Sequence, residues 1–387
     1  MAHGADKRSE WMPDRVSFPT KAASIPDLEA LGLQYLRRRA AVLSFAEPTD
    51  PIHILNQTEQ ATLRRIERGM VLRAAIAGAL SGAASAAAEF IAIGSGPATT
   101  LGWAWVVGVT LAATAMEITY LYWDALRSVH DLAAAAGVRL FPPGVRLSAM
   151  TATALARAAL ELPNRPDPRL PVNPYREASK AMLVAAAILY KLKIGLTNFL
   201  LKALVRRLGG RSLLRSWAPF VAVPVTALWN AWVARTVIHE ARIRAMGPSA
   251  TRERLDALLQ ARSPLSPAGR LAALRAAGCA VVGKRDLHPN LAALIEMLCE
   301  RLGAPVEPID DRRAFLAALP TLGQEERDVV MELLAFALVL DGRLSYRERR
   351  LWQQARTACG LGPDVQSLRD LRRAFVAGRT LRKQPRP

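Results

Sequence analysis

Cysteine is scarce: the chain of 387 residues has three, Cys279, Cys299 and Cys359, widely spaced. An odd, scattered set makes neither a disulfide framework nor a metal knuckle, and it excludes a small stapled secreted scaffold. Aromatic side chains make up only 6% of a chain that is 51% apolar, because the apolar content is carried heavily by alanine. Acidic residues number 33 against 52 basic ones, a formal charge of +19, which excludes an acidic disordered tail. No stretch has the period-2 alternation of a sheet strand. The opening MAHGADKRSEWMPDRV has no apolar run behind its charges, so no cleavable signal peptide is expected.

Catalytic signatures are missing as well. His239-Glu240 lacks the second histidine of a zinc-protease helix, and the five histidines (3, 53, 130, 239, 288) show no ligand spacing. Gly94-Ser95-Gly96 follows no strand and precedes no GK[ST], so it is neither a nucleophile elbow nor a phosphate loop. The chain therefore does not read as an enzyme, and no catalytic residue or cofactor is expected.

What is present begins with two apolar runs, 71–93 and 101–123. The first carries only Arg73 and Glu89 as charges, the second only Glu117. Each is about 34 Å long as a helix, enough to cross a hydrocarbon core of ~30 Å. Arginines precede the first run (64, 65, 68, 73) and follow the second (127, 139, 146), the positive-inside pattern of a hairpin with both ends cytoplasmic. Trp103 and Trp105 at one end of the second run, with Tyr120, Tyr122 and Trp123 at the other, fit interfacial aromatic belts. Ala74, Gly78, Gly82 and Ala86 form a small-residue stripe along the first run, of the kind that lets helices approach closely in lipid. The alternative is an alanine-rich hairpin buried in a soluble core. Of the intramembrane ionisable groups, Glu89 falls near the outer edge. Arg73 and Glu117 fall at similar depths near the inner one, so an Arg73–Glu117 ion pair is expected.

The charge is concentrated. Residues 176–248 hold 12 basic and 2 acidic side chains, more than half of the net excess. Lys191, Lys193, Lys202, Arg206, Arg207, Arg211 and Arg215 lie beside apolar segments there, and are expected to face anionic lipid. The uncharged run 216–234 contains Pro219, Pro224 and Asn230. A second spanning hairpin, 182–205 with 216–234, would strand four arginines outside, so a surface-lying or shallowly inserted segment is expected. A soluble helical core with a basic rim is the equal alternative. Prolines 163, 166, 168, 171 and 174 mark a stiff linker over 162–174.

Residues 249–387 read as a soluble bundle of short capped helices, with Pro248 ending the helix before it. The clearest motif there is Asp341-Gly342-Arg343-Leu344-Ser345-Tyr346-Arg347-Glu348. Gly342 suits a left-handed helix end, and Ser345 with Glu348 makes a capping box. The rival reading has Asp341 and Glu348 facing each other to bind a metal cation through hard oxygens. The whole chain is expected to be all-α: a lead-in (1–55), a membrane-associated helical domain with a transmembrane hairpin and basic amphipathic helices (56–248), and the C-terminal helical bundle (249–387).

The passage LLAFALVLDGRLSYRERRLW resembles the tellurite-resistance TerB-like helical domain, whose turn carries Asp-Gly and a Glu six residues after the Gly, here Asp341, Gly342 and Glu348. The resemblance implies a metal-associated helical module of bacterial envelope stress. Upstream, KLKIGLTNFLLKALVRRL followed by WAPFVAVPVTALWNAWVARTVIHEARIRAMG is similar to the EcsC-like bacterial membrane-associated family, through Pro224, Asn230, Ala241 and Arg242. That similarity implies membrane association and a role in secretion or envelope physiology. The expected protein is non-enzymatic, sits in the cytoplasmic (inner) membrane with both termini in the cytoplasm, contacts anionic lipid and an unknown protein partner, and binds no nucleic acid. Two alternatives are kept: a soluble basic nucleic-acid-binding protein, and a channel-like homo-oligomer self-associated through the 74–86 stripe.

Overall fold

The computed structural model describes residues 25–42, 52–94, 100–141, 146–164, 167, 169–176, 218–260, 264–305 and 307–381. These form helices α1 (Ile25–Val42), α2 (Gln57–Gly94), α3 (Thr100–Ala135), α4 (Arg146–Ala159), α5 (Ala218–Leu259), α6 (Pro267–Lys284) and α7 (Pro289–Leu302). They continue as α8 (Arg312–Ala318), a 3-10 turn (Leu319–Thr321), α9 (Gln324–Val339), α10 (Tyr346–Ala358) and α11 (Gln366–Val376). Among the described residues there is no strand.

Local chemistry sets the helix starts. The Asn56 side-chain oxygen Oδ1 accepts from the Glu59 backbone amide, and the Glu59 carboxylate accepts from the Asn56 backbone amide, both at 2.8 Å, so α2 opens on a closed capping box. Ser266, Asp311 and Ser345 cap α6, α8 and α10 in the same way through their side-chain oxygens. Gly342 adopts φ +72°, the left-handed turn between α9 and α10.

α2 and α3 form a long antiparallel pair that extends past the apolar runs, into amphipathic turns at the start of α2 and the end of α3. There Leu36 of α1, Leu63 of α2, Val129 and Leu132 of α3, and Leu155 of α4 are fully buried together. The C-terminal helices wrap a second apolar centre around Leu291, Phe315, Phe336 and Phe375. α5 runs through both, burying Ile238, Ile243, Met246 and Leu255 completely, and one continuous core results.

Here the expectation for Pro248 is corrected: α5 continues through it to Leu259. A proline inside a helix forfeits one backbone bond and crowds the carbonyl four residues earlier, at about 3 kcal/mol. Met246 and Ala250 on either side, with Leu255 and Leu258 beyond, are all buried, and each large side chain contributes ~1.5–3 kcal/mol. Burial wins. The proline-rich linker contains no helix in its described residues, and it is pinned at both ends. Asn164 donates to Asp286 at 2.7 Å, and the Asn173 amide donates to Asp310 at 3.0 Å, so this stretch is fastened onto the C-terminal helices.

Candidate functional site

Three helices meet where the sequence is most apolar. α5 runs antiparallel to α2, with Val223 beside Gly82, Thr226 beside Gly78, and Arg242 3.2 Å from Glu67. A side-chain carbon on Gly78 would lie 2.6 Å from the Thr226 carbonyl oxygen. One on Gly82 would lie 2.6 Å from the Thr226 hydroxyl and 3.1 Å from the Val223 Cα. Only glycine admits this approach of backbones. Ala74 and Ala86 are buried at 1% and 2% exposure, so the whole stripe is covered within the chain.

Residues 218–234 pack lengthwise along α2. The polar groups account for it: the Thr226 hydroxyl donates to the Gly78 carbonyl at 2.8 Å, and the Asn230 amide donates to Glu117 at 2.6 Å. Thr226, Asn230 and Glu117 are all buried, and an unmet polar group there would cost ~1–3 kcal/mol.

A second correction concerns the ionisable groups. Arg73 and Glu117 do not pair with each other. Arg73 donates through Nε to Asp124 at 2.8 Å and through Nη2 to Ser128 at 3.0 Å, while Glu117 turns to Asn230. On α3, Asp124 lies seven residues from Glu117, about 10 Å along the axis, and it was not singled out because it falls just outside the apolar run. Glu89, half-buried near the far end of α2, joins neither group.

Outside this seat, the apolar side chains of the hairpin point away from the protein. Leu72, Leu80 and Ile91 of α2 are 60–66% exposed, Leu101, Leu111 and Met116 of α3 are 65–81% exposed, and Leu228 of α5 is 71% exposed. Trp103, Trp105, Trp123 and Trp232 are exposed too. Both α2 and α3 are long and apolar enough to cross a membrane, and the most apolar part of α3 is only 11% buried. Between α2 and α3 lies a cavity of about 590 Å³. Among the described residues it is lined by Arg73, Ile76, Ala77, Leu80, Ser81 and Ala84 on one side, and by Ala113, Met116, Glu117 and Tyr120 on the other.

The C-terminal motif is brought together, around a cation of the protein's own. Lys284, at the end of α6, places its ammonium against Glu348, 2.7 Å from Asp341 and 3.1 Å from the Leu338 carbonyl. Glu348 is 1% exposed and also closes the capping box with Ser345. A bound metal would have to displace this ammonium, so the residues present do not fit a divalent ion. No cluster of three or more His, Cys, Asp or Glu side chains suited to a metal occurs among the described residues.

Two polar groups, one half-buried and one buried, escaped sequence reasoning because partners of theirs are distant in the chain. Glu240 on α5 accepts from His288 at 2.9 Å and pairs with Arg244 at 3.0 Å. Burial alone would raise its pKa, but the hydrogen bond and charge of His288, with Arg244, hold it down at about 2. His53, fully buried, sits between Ser249 at 3.3 Å and Glu253 at 3.1 Å. Burial lowers its pKa against the opposing pull of Glu253. This serine–histidine–carboxylate order lies in a closed site beside Leu381, with no room for a substrate.

Lys191, Lys193, Lys202, Arg206, Arg207, Arg211 and Arg215 lie outside the described residues. No protein family, curated protein or solved structure matches the chain.

Proposed function

We propose that this is a non-enzymatic, membrane-anchored helical protein. The α2–α3 hairpin serves as anchor, with α5 docked along it and the C-terminal helices as a cytoplasmic interaction module. The observation that carries the reading is the outward-facing apolar surface. The core helix of a soluble protein buries its apolar residues, whereas here the longest apolar helices turn leucine, isoleucine and tryptophan to the outside. Hydrocarbon supplies the missing environment, and the polar groups at that depth face inward, Thr226 to the Gly78 carbonyl and Asn230 to Glu117, as lipid demands.

The proposed location is the cytoplasmic membrane, with both termini cytoplasmic and the arginines at the start of α2 and the end of α3 near anionic headgroups of the inner leaflet. The EcsC-like and TerB-like resemblances belong to the same proposal, as a bacterial module of envelope stress or secretion that meets a protein partner. Binding through a metal is not part of it, since Lys284 fills that place. Self-association through the 74–86 stripe is not part of it either, since α5 covers those residues.

Fractionation tests the anchor. The expressed protein is expected to sediment with membranes and to resist carbonate extraction; recovery in the high-speed supernatant without detergent refutes the reading. Single cysteines introduced as Pro97→Cys and Gln324→Cys, in a background freed of the three native thiols, are expected to label from opposite sides of the membrane.

A further inference from the structure

We infer that the slot between α2 and α3 holds one acyl chain of an anionic phospholipid from the inner leaflet, with its phosphate at Arg73. The inference rests on the membrane reading and adds a defined binding site to it. On α2 the slot runs from Arg73 to Ala84, eleven residues or about 16 Å of helix axis. One leaflet of a ~30 Å hydrocarbon core has nearly the same depth. Its volume of about 590 Å³ over that length admits an extended hydrocarbon chain, and the cationic mouth favours one that carries an anionic headgroup.

The chemistry of the two ends matches such an occupant. Away from the mouth the lining is mostly apolar, with Leu80, Ala84, Ala113 and Met116 beside the polar Ser81 and Glu117. At the mouth, Arg73 commits Nε and Nη2 to Asp124 and Ser128, and its Nη1 has no hydrogen-bond partner among the described residues. Arg65 lies three turns below Ile76 on the same face of α2, and it is exposed. Arg127 lies two turns beyond Tyr120 on the slot face of α3, 44% exposed, its guanidinium over the Trp123 ring at 5.6 Å. Asp124 and Asp131 offset only part of this positive charge, so an anionic headgroup is favoured over a zwitterionic one. Glu117 stays satisfied by Asn230 at the back of the slot and places no demand on the chain.

The test uses the full-length protein in mild detergent, titrated with phosphatidylglycerol or phosphatidylcholine and read by native mass spectrometry. One retained phosphatidylglycerol per chain is expected, with phosphatidylcholine held about tenfold more weakly. Ala77→Phe and Ala84→Phe fill the slot and should cut retention about tenfold, whereas Leu111→Phe on the outer face should not change it. Arg73→Gln should erase the preference between the two lipids. If the protein sediments with membranes but the slot-filled variants retain lipid as the wild type does, the slot is refuted and the anchor stands. If the protein does not sediment with membranes, the anchor is refuted and the slot with it.

Discussion

Lys284 occupies, at residue scale, the place that the rival reading of the Asp341–Glu348 motif gives to a metal. Its ammonium lies between the buried Glu348 and the half-buried Asp341 carboxylates and closes on the Leu338 carbonyl, so three acceptors are served by one side chain from a helix 57 residues upstream of Asp341. Lys284→Met removes the cation and leaves both carboxylates facing each other. It should cost about 3–5 kcal/mol in urea unfolding of the intact chain. Glu240 makes a separate prediction for acid. Its pKa falls from 4.5 unfolded to about 2 folded, so its contribution is fully present above pH 4.5 and is lost as pH falls toward 2. The loss amounts to ~3 kcal/mol, and Glu240→Gln should flatten that part of the stability profile. The local half of this chemistry was legible in the sequence: the caps at Asn56 and Ser345 join residues three apart, and a left-handed Gly342 follows from its place after an apolar helix. The distant half was not, because no periodicity or spacing links Lys284 to Asp341, or Glu240 to His288.

Among the elements, the pairing of α2 with α5 organises the apolar end. The small-residue stripe was visible as a packing surface, but nothing in the stripe names its partner. The partner came from 140 residues downstream, from a run whose prolines and lone asparagine read as irregular. Once seated, Asn230 explains itself by its bond to Glu117, and the Thr226 hydroxyl, which also reaches the Val223 carbonyl of its own helix, gains a bond to the Gly78 carbonyl. Thr226→Val removes the bond to the Gly78 carbonyl and should lower stability by about 1 kcal/mol. Gly78→Leu is a stronger change, because the Thr226 carbonyl stands where its Cβ must go. Hydrogen exchange along 223–234 should rise in Gly78→Leu while exchange in α9 and α10 stays unchanged. Equal protection in both proteins would show that the glycine does not set the approach.

For the molecule as a whole, α5 makes the apparent division of the chain misleading. A proline at 248, followed by short capped helices, reads as the start of a new domain, yet the helix that crosses it supplies Ile243, Met246 and Ala250 to the C-terminal core. Asn290 fastens the joint, its amide donating to the Ile243 and Leu340 carbonyls at 2.9 Å each. A fragment beginning at residue 249 should therefore unfold without a cooperative transition, while one beginning at residue 236 should regain it; calorimetry on the two fragments decides.

The contact between Glu117 and Asn230 also sets a schedule for making the protein. The two residues are 113 positions apart, and ribosomes add about 5–20 residues per second. The hairpin must therefore wait about 6–20 s, with its Glu117 carboxylate unanswered by Asn230, before the helix that completes it has been synthesised. During that interval the nascent chain is a recognisable unfinished object, open to insertases and proteases alike. Its survival depends on how quickly a later segment arrives.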